Sequence, residues 1–127
     1  MPAAIPQEIQ QFITNHVRSV EQLEILLLIH GTPHKIWSVQ SVYSSILSSK
    51  SSVERWLEEF VRTGFCQKTT DEPANYFFSA SGEIELRLSA LAELYKIKPA
   101  RVIEAIFKKD LGAAQSFADA FKIKRLP

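Results

Sequence analysis

The periodicity of the chain changes at Gly64, and that change limits the fold more than any other feature of the sequence. Before it, apolar residues recur at helical spacing: Val53, Trp56, Leu57, Phe60 and Val61 share one face of a segment from Lys50 to Thr63. After it come two short β-rich runs, Phe65-Cys66-Gln67-Lys68-Thr69 and Tyr76-Phe77-Phe78-Ser79. The stretch Thr70-Asp71-Glu72-Pro73-Ala74-Asn75 between them is rich in turn formers, so the two runs read as a hairpin. A lone hairpin is barely stable in water. It must lean on the helices, and the helix before Gly64 is the nearest support.

The segments before this point are all helical or nearly so. Ile5, Ile9, Ile13 and Val17, with Phe12 beside them, predict a first amphipathic helix over roughly 6–17. Ser19 followed by Gln22 has the form of a capping box and opens a second helix, which stops at Gly31 with Pro33 beyond. Its apolar residues nearly encircle the axis, which predicts burial on most sides. Lys35-Ile36-Trp37-Ser38 reads as one short strand, and Val39, Val42, Ile46 and Leu47 as a third helix over 39–47. Ser48 and Ser49 interrupt it, and Ser49 is placed to cap the helix that begins at Lys50. Gly64 stands where a left-handed residue closes that helix.

Beyond the hairpin, Ser81 is placed to cap a fifth helix over 82–96 bearing Ile84, Leu88, Leu91 and Tyr95. Pro99 starts a sixth through Val102, Ile103, Ile106 and Phe107, and residues 110–127 carry Phe117, Phe121 and a basic end. No internal repeat or low-complexity linker separates these parts. The 127 residues, 46% of them hydrophobic, suit one domain with one core.

Composition excludes several classes of function. No apolar run approaches the roughly 18 residues needed to span a bilayer, and the N-terminus lacks the basic-then-apolar order of a secretion signal. A cytoplasmic protein is expected. Cys66 is the only cysteine, which excludes an internal disulfide and a cysteine-cluster metal site, and it reads as a packed residue beside the hairpin rather than a redox sensor. His30 and His34 are four apart, but Gly31 and Pro33 between them prevent a shared helical face. No serine lies in a nucleophile elbow, and the four glycines never cluster into a phosphate-cradling loop. Neither an enzyme nor a cofactor is expected.

The net charge of +1 hides an asymmetry. Residues 1–95 carry seven Lys/Arg against eleven Asp/Glu, whereas residues 96–127 carry eight against three. An anionic partner would first feel the C-terminal third.

The run Leu47-Ser48-Ser49-Lys50-Ser51-Ser52-Val53-Glu54-Arg55-Trp56-Leu57 resembles the turn and recognition helix of bacterial winged helix-turn-helix regulators. Arg62-Thr63-Gly64-Phe65 is similar to their exit into the wing, and Ile36-Trp37-Ser38-Val39 to their short first strand. The resemblance covers residues 19–79. With flanking helices over 5–17 and 82–109, the layout is similar to that of MarR-type regulators. The fold class it implies is mainly α with a small β-hairpin, a winged helix-turn-helix extended at both ends.

The resemblance implies a recognition helix in the major groove of double-stranded DNA and a wing near the phosphates. By position, Ser51, Ser52 and Arg55 would face bases, and Lys50, Arg62 and Lys68 would face phosphates. Lys122, Lys124 and Arg125, with Lys108 and Lys109, are candidates for phosphates flanking a site. The surplus apolar faces of the outer helices suit either packing together within one chain or exchange with a second copy, as in MarR-type homodimers. The residues depart from the pattern in charge. The helix from Lys50 carries Glu54, Glu58 and Glu59 against Lys50, Arg55 and Arg62, and the wing tip offers Asp71 and Glu72. Glu58 precedes Arg62 by four residues and Arg55 precedes Glu59 by four, a spacing that pairs charges on a helix. Those departures suit the alternative, a winged-helix module that binds a regulatory protein and leaves DNA alone.

Overall fold

The computed structural model describes residues 5–108. Among the described residues, six helices and a two-stranded hairpin surround one apolar core. α1 spans Gln7–His16, and its stripe of Ile9, Phe12 and Ile13 is buried. α2 (Val20–His30) is the central helix, with Leu23, Ile25, Leu26 and Ile29 buried on more than one side. That is the burial its all-round apolar pattern predicts.

The corner between α1 and α2 is built on Gln22, a buried polar side chain. Ser19 Oγ accepts from Gln22 N at 3.0 Å, as the capping pattern requires. The Gln22 side chain does not complete the box on Ser19. Its Oε1 accepts from Arg18 N, and its Nε2 donates to His16 O at 2.8 Å. Both ends of the buried amide are therefore satisfied, and the bend between the helices is fixed.

α3 (Val39–Ile46) opens with a reciprocal capping box between Ser38 and Ser41. It ends at Leu47, whose backbone is left-handed at φ 59. α4 (Lys50–Arg62) starts at Ser49, whose Oγ accepts from Ser52 N at 3.2 Å, and buries Val53, Leu57 and Phe60. Gly64 then turns the chain at φ 89, a conformation that costs glycine nothing. β1 (Cys66–Lys68) pairs antiparallel with β2 (Tyr76–Phe78), with Cys66 opposite Phe78 and Lys68 opposite Tyr76.

The expected strand at 35–38 contracts to one residue. Trp37 exchanges two 2.7 Å backbone hydrogen bonds with Tyr76, while neighbouring Ile36 points into solvent. α5 (Gly82–Ile97) buries Leu88 and Leu91. Ser81 precedes it with extended backbone but makes no side-chain cap, contrary to expectation. α6 follows over 99–108 and buries Val102, Ala105 and Ile106. No helix among the described residues is long and apolar enough to cross a membrane.

Tertiary polar contacts tie α5 to the winged core. His30 at the end of α2 lies 3.3 Å from Glu85 and 3.1 Å from Ser89 of α5, with its ring edge-on to Phe78. Tyr95 of α5 donates to Glu24 of α2. Cys66 is buried in the core, and burial pushes its thiol up to about 12. At neutral pH it is a packed thiol rather than a thiolate.

Candidate nucleic-acid interface

α4 is strongly amphipathic, and packing its apolar face on α2 and α3 leaves the opposite face to solvent. Ser51, Arg55 and Arg62 are exposed on that face, with Glu58 partly covered between them. The wing folds back beside it. Arg55, Arg62 and Lys68 line one open cleft of about 630 Å³ between α4 and β1, together with Glu58, Glu59 and Val61. Three of the expected residues therefore share a groove, with Ser51 and Lys50 toward the N-terminal end of the same helix.

The electrostatics of that groove are set by its own carboxylates. Glu58 receives Lys68 Nζ on both oxygens at 3.1 Å and also accepts from the Tyr76 hydroxyl. Glu59 accepts from Arg62 through two guanidinium nitrogens, with Nε at 3.1 Å. Helical spacing alone would give Glu58 to Arg62. The wing supplies Lys68 and Tyr76 to Glu58 instead, and Arg62 turns to Glu59 one residue nearer. The Tyr76 and Lys68 hydrogen bonds hold the Glu58 carboxyl below the usual carboxylate range, against a smaller effect of burial. Arg62 does the same for Glu59.

Arg55 and Lys50 have no carboxylate at ion-pair distance among the described residues. Each rests on an aromatic ring, Arg55 at 5.7 Å from the Trp56 centroid and Lys50 at 5.7 Å from Tyr43. They are the cations of α4 most available to an outside anion.

Ser52 is a correction. Expected among the base-facing residues, it is half-buried, and its Oγ donates to Glu21 Oε1 of α2 at 2.8 Å. The same oxygen accepts from Trp56 Nε1 at 3.2 Å. On a helical projection Ser52 stands about 100° from Ser51, far enough to fall on the flank beside α2. Nothing in the sequence singles out Glu21, because its partners lie 31 and 35 residues away. Lys122, Lys124 and Arg125 lie outside the described residues, as does Lys109. Lys108 is exposed on α6.

The lowered acidity range of Glu58 carries a pH consequence. A carboxylate whose folded-state pKa is depressed stabilises the fold above its unfolded value, 4.5 here, and loses that contribution as the pH falls through the folded value. The Glu58→Gln variant should therefore lose less thermal stability than the parent chain between pH 5 and 3, and melting curves across that range would show it. Parallel melting profiles for the two proteins would exclude Glu58 as a contributor.

No family model matches the chain, and no curated protein matches its sequence. Solved structures do resemble it in shape. A possible transcriptional regulator from Methanosarcina mazei Go1 superposes with a TM-score of 0.53 at 10% identity, covering 82% of this chain and 97% of that one. A MarR family transcriptional regulator from Streptomyces coelicolor superposes with a TM-score of 0.52 at 16% identity, covering 94% of this chain and 79% of that one. At such identities the likeness concerns architecture, and the architecture is a winged helix with flanking helices, as in a MarR family regulator.

Proposed function

We propose that the protein is a DNA-binding transcriptional regulator or accessory factor that presents α4 to the major groove and the β1–β2 wing to the flanking backbone. The observation that carries this reading is the exposed stripe of Ser51, Arg55 and Arg62 beside Lys68, on a helix whose other face is fully engaged in the core. Arg55 is the base-reading candidate, because an exposed guanidinium can grip a guanine edge with two hydrogen bonds. Lys50 and Ser51, at the first turn of α4, suit a phosphate, since helix N-terminal amides favour anions. Leu86, Ile97 and Phe107 are exposed on α5 and α6, and a second copy covering them would place two recognition helices on one duplex.

One observation favours a second reading, a winged-helix module that binds a regulatory protein. Two of the groove's cations are already bound to Glu58 and Glu59, and the wing tip carries Asp71 and Glu72. Titration of a fluorescently labelled duplex of random sequence separates the two. Under the DNA reading, binding at physiological salt falls in the range of about 10⁻⁴–10⁻⁶ M and tightens steeply as salt is lowered. Arg55→Ala and Lys50→Ala each weaken it further. A folded protein that leaves the duplex free even at low salt would place the module among protein-binding winged helices.

A further inference from the structure

Glu21 lies on α2, away from the exposed face of α4, yet it holds that helix at two points one turn apart. Its Oε1 accepts from Ser52 Oγ at 2.8 Å and from Trp56 Nε1 at 3.2 Å. Ser52 and Trp56 are an i,i+4 pair, so both bonds fall on one flank of α4. Bonds to an ionised acceptor are shorter and stronger than neutral ones, and this acceptor is charged. Burial works against the charge, but the hydroxyls of Ser48 and Ser52, the Trp56 indole and the Arg55 guanidinium outweigh it and hold the carboxyl below its usual range. The second oxygen, Oε2, is buried and closes no hydrogen bond of ordinary geometry among the described residues.

Burial of Val53, Leu57 and Phe60 holds α4 against the core, and the hydrophobic effect that drives it has no preferred direction. A hydrogen bond does have one. The Ser52–Trp56 flank stands roughly 100° around the helix from the Ser51–Arg62 stripe. A pin there therefore fixes the stripe's bearing. At the 5–6 Å radius of helical side chains, a roll of about 20° displaces the stripe by about 2 Å. That exceeds what a two-pronged arginine–guanine contact tolerates.

We propose that Glu21 is a positioning residue for the α4 interface, pinning Ser52 and Trp56 so that Ser51, Arg55 and Arg62 face outward at a fixed roll. This rests on the DNA-binding reading for its consequence, but the pin itself exists in the free protein, so the two can fail separately. The test uses the full chain with ¹⁵N labelling. Trp56 and Trp37 each give one indole N–H resonance, and Trp37 Nε1 bonds Thr32 instead.

In Glu21→Ala the Trp56 resonance and the backbone amides of α4 should move while the Trp37 resonance stays. Affinity for the random-sequence duplex should fall, and its salt dependence should become shallower by up to about 0.9 in slope for each phosphate contact the stripe loses. Adding Arg55→Ala to that variant should then cost little more, because Arg55 is already misdirected. Glu21→Gln keeps an acceptor oxygen for both donors and should restore the resonance and most of the affinity. If Glu21→Ala fails to fold, Ser52→Ala combined with Trp56→Phe removes the same bonds from the other side and is read through the α4 amides. Unmoved α4 resonances in Glu21→Ala overturn the proposal, as do additive losses with Arg55→Ala or a Glu21→Gln variant as weak as the alanine. Should no form bind DNA, the DNA reading falls alone, and displaced α4 and Trp56 resonances still support the pin.

Discussion

Replacing Phe60 with alanine should destabilise the fold by about 3–5 kcal/mol, the largest loss we expect from a single side chain. Phe60 is fully buried on the inner face of α4, and its ring stands 6.1 Å from that of Phe65, which in turn meets Phe12 of α1 at 6.0 Å. The ring therefore joins α4, the entrance to the wing and the first helix. Deleting it removes buried apolar surface and leaves a cavity whose walls are held by three elements, so collapse around it is restricted. Against a total stability of about 5–15 kcal/mol, such a loss brings the protein near its unfolding threshold. Urea unfolding followed by circular dichroism would measure it through a lower midpoint at unchanged slope. A loss under about 1.5 kcal/mol would mean that the site relaxes freely and that α4 is not anchored as the core implies.

The contrast between Phe60 and Ser52 shows what the sequence can and cannot disclose. Phe60 is legible because burial on an amphipathic helix follows spacing alone, and Val53, Leu57 and Phe60 keep that spacing. Local chemistry is equally legible: Ser19 and Ser49 cap their helices, and Gly64 takes a positive φ. Ser52 departs from its expected place because it stands on the flank of α4, where the helical period does not decide between core and solvent. Its orientation is decided by Glu21, which only the tertiary fold brings near. The ion pairs follow the same rule. Spacing along α4 offers Glu58 to Arg62, but β1 and β2 return alongside and present Lys68 and Tyr76 to Glu58, leaving Glu59 for Arg62. The link from His30 to α5 is hidden in the sequence for the same reason, since Glu85 and Ser89 lie 55 and 59 residues away.

Those rearranged pairs lead to the largest effect expected on binding. Under the DNA-binding reading, Lys68 and Arg62 can contact phosphate only by leaving Glu58 and Glu59, so they would add little to the count of neutralised phosphates in the parent chain. Glu58→Gln together with Glu59→Gln frees both cations without adding charge elsewhere. Each cation newly set against a phosphate steepens the dependence of log affinity on log salt by about 0.9, so the double variant should be steeper by nearly 2. The tightening relative to the parent chain should accordingly be about tenfold greater at ~50 mM than at ~200 mM salt. Glu104→Gln, a neutralised carboxylate exposed on α6, separates this from a general change in net charge: it should shift affinity slightly and leave the slope alone. Fluorescence anisotropy with a random-sequence duplex at several salt concentrations measures all three proteins. Equal slopes for the parent chain and the double variant would mean that Lys68 and Arg62 do not meet the backbone when DNA is bound, and the groove between α4 and the wing would lose its role. A steeper slope in the double variant alone would mean that these two carboxylates set the strength with which the groove engages DNA.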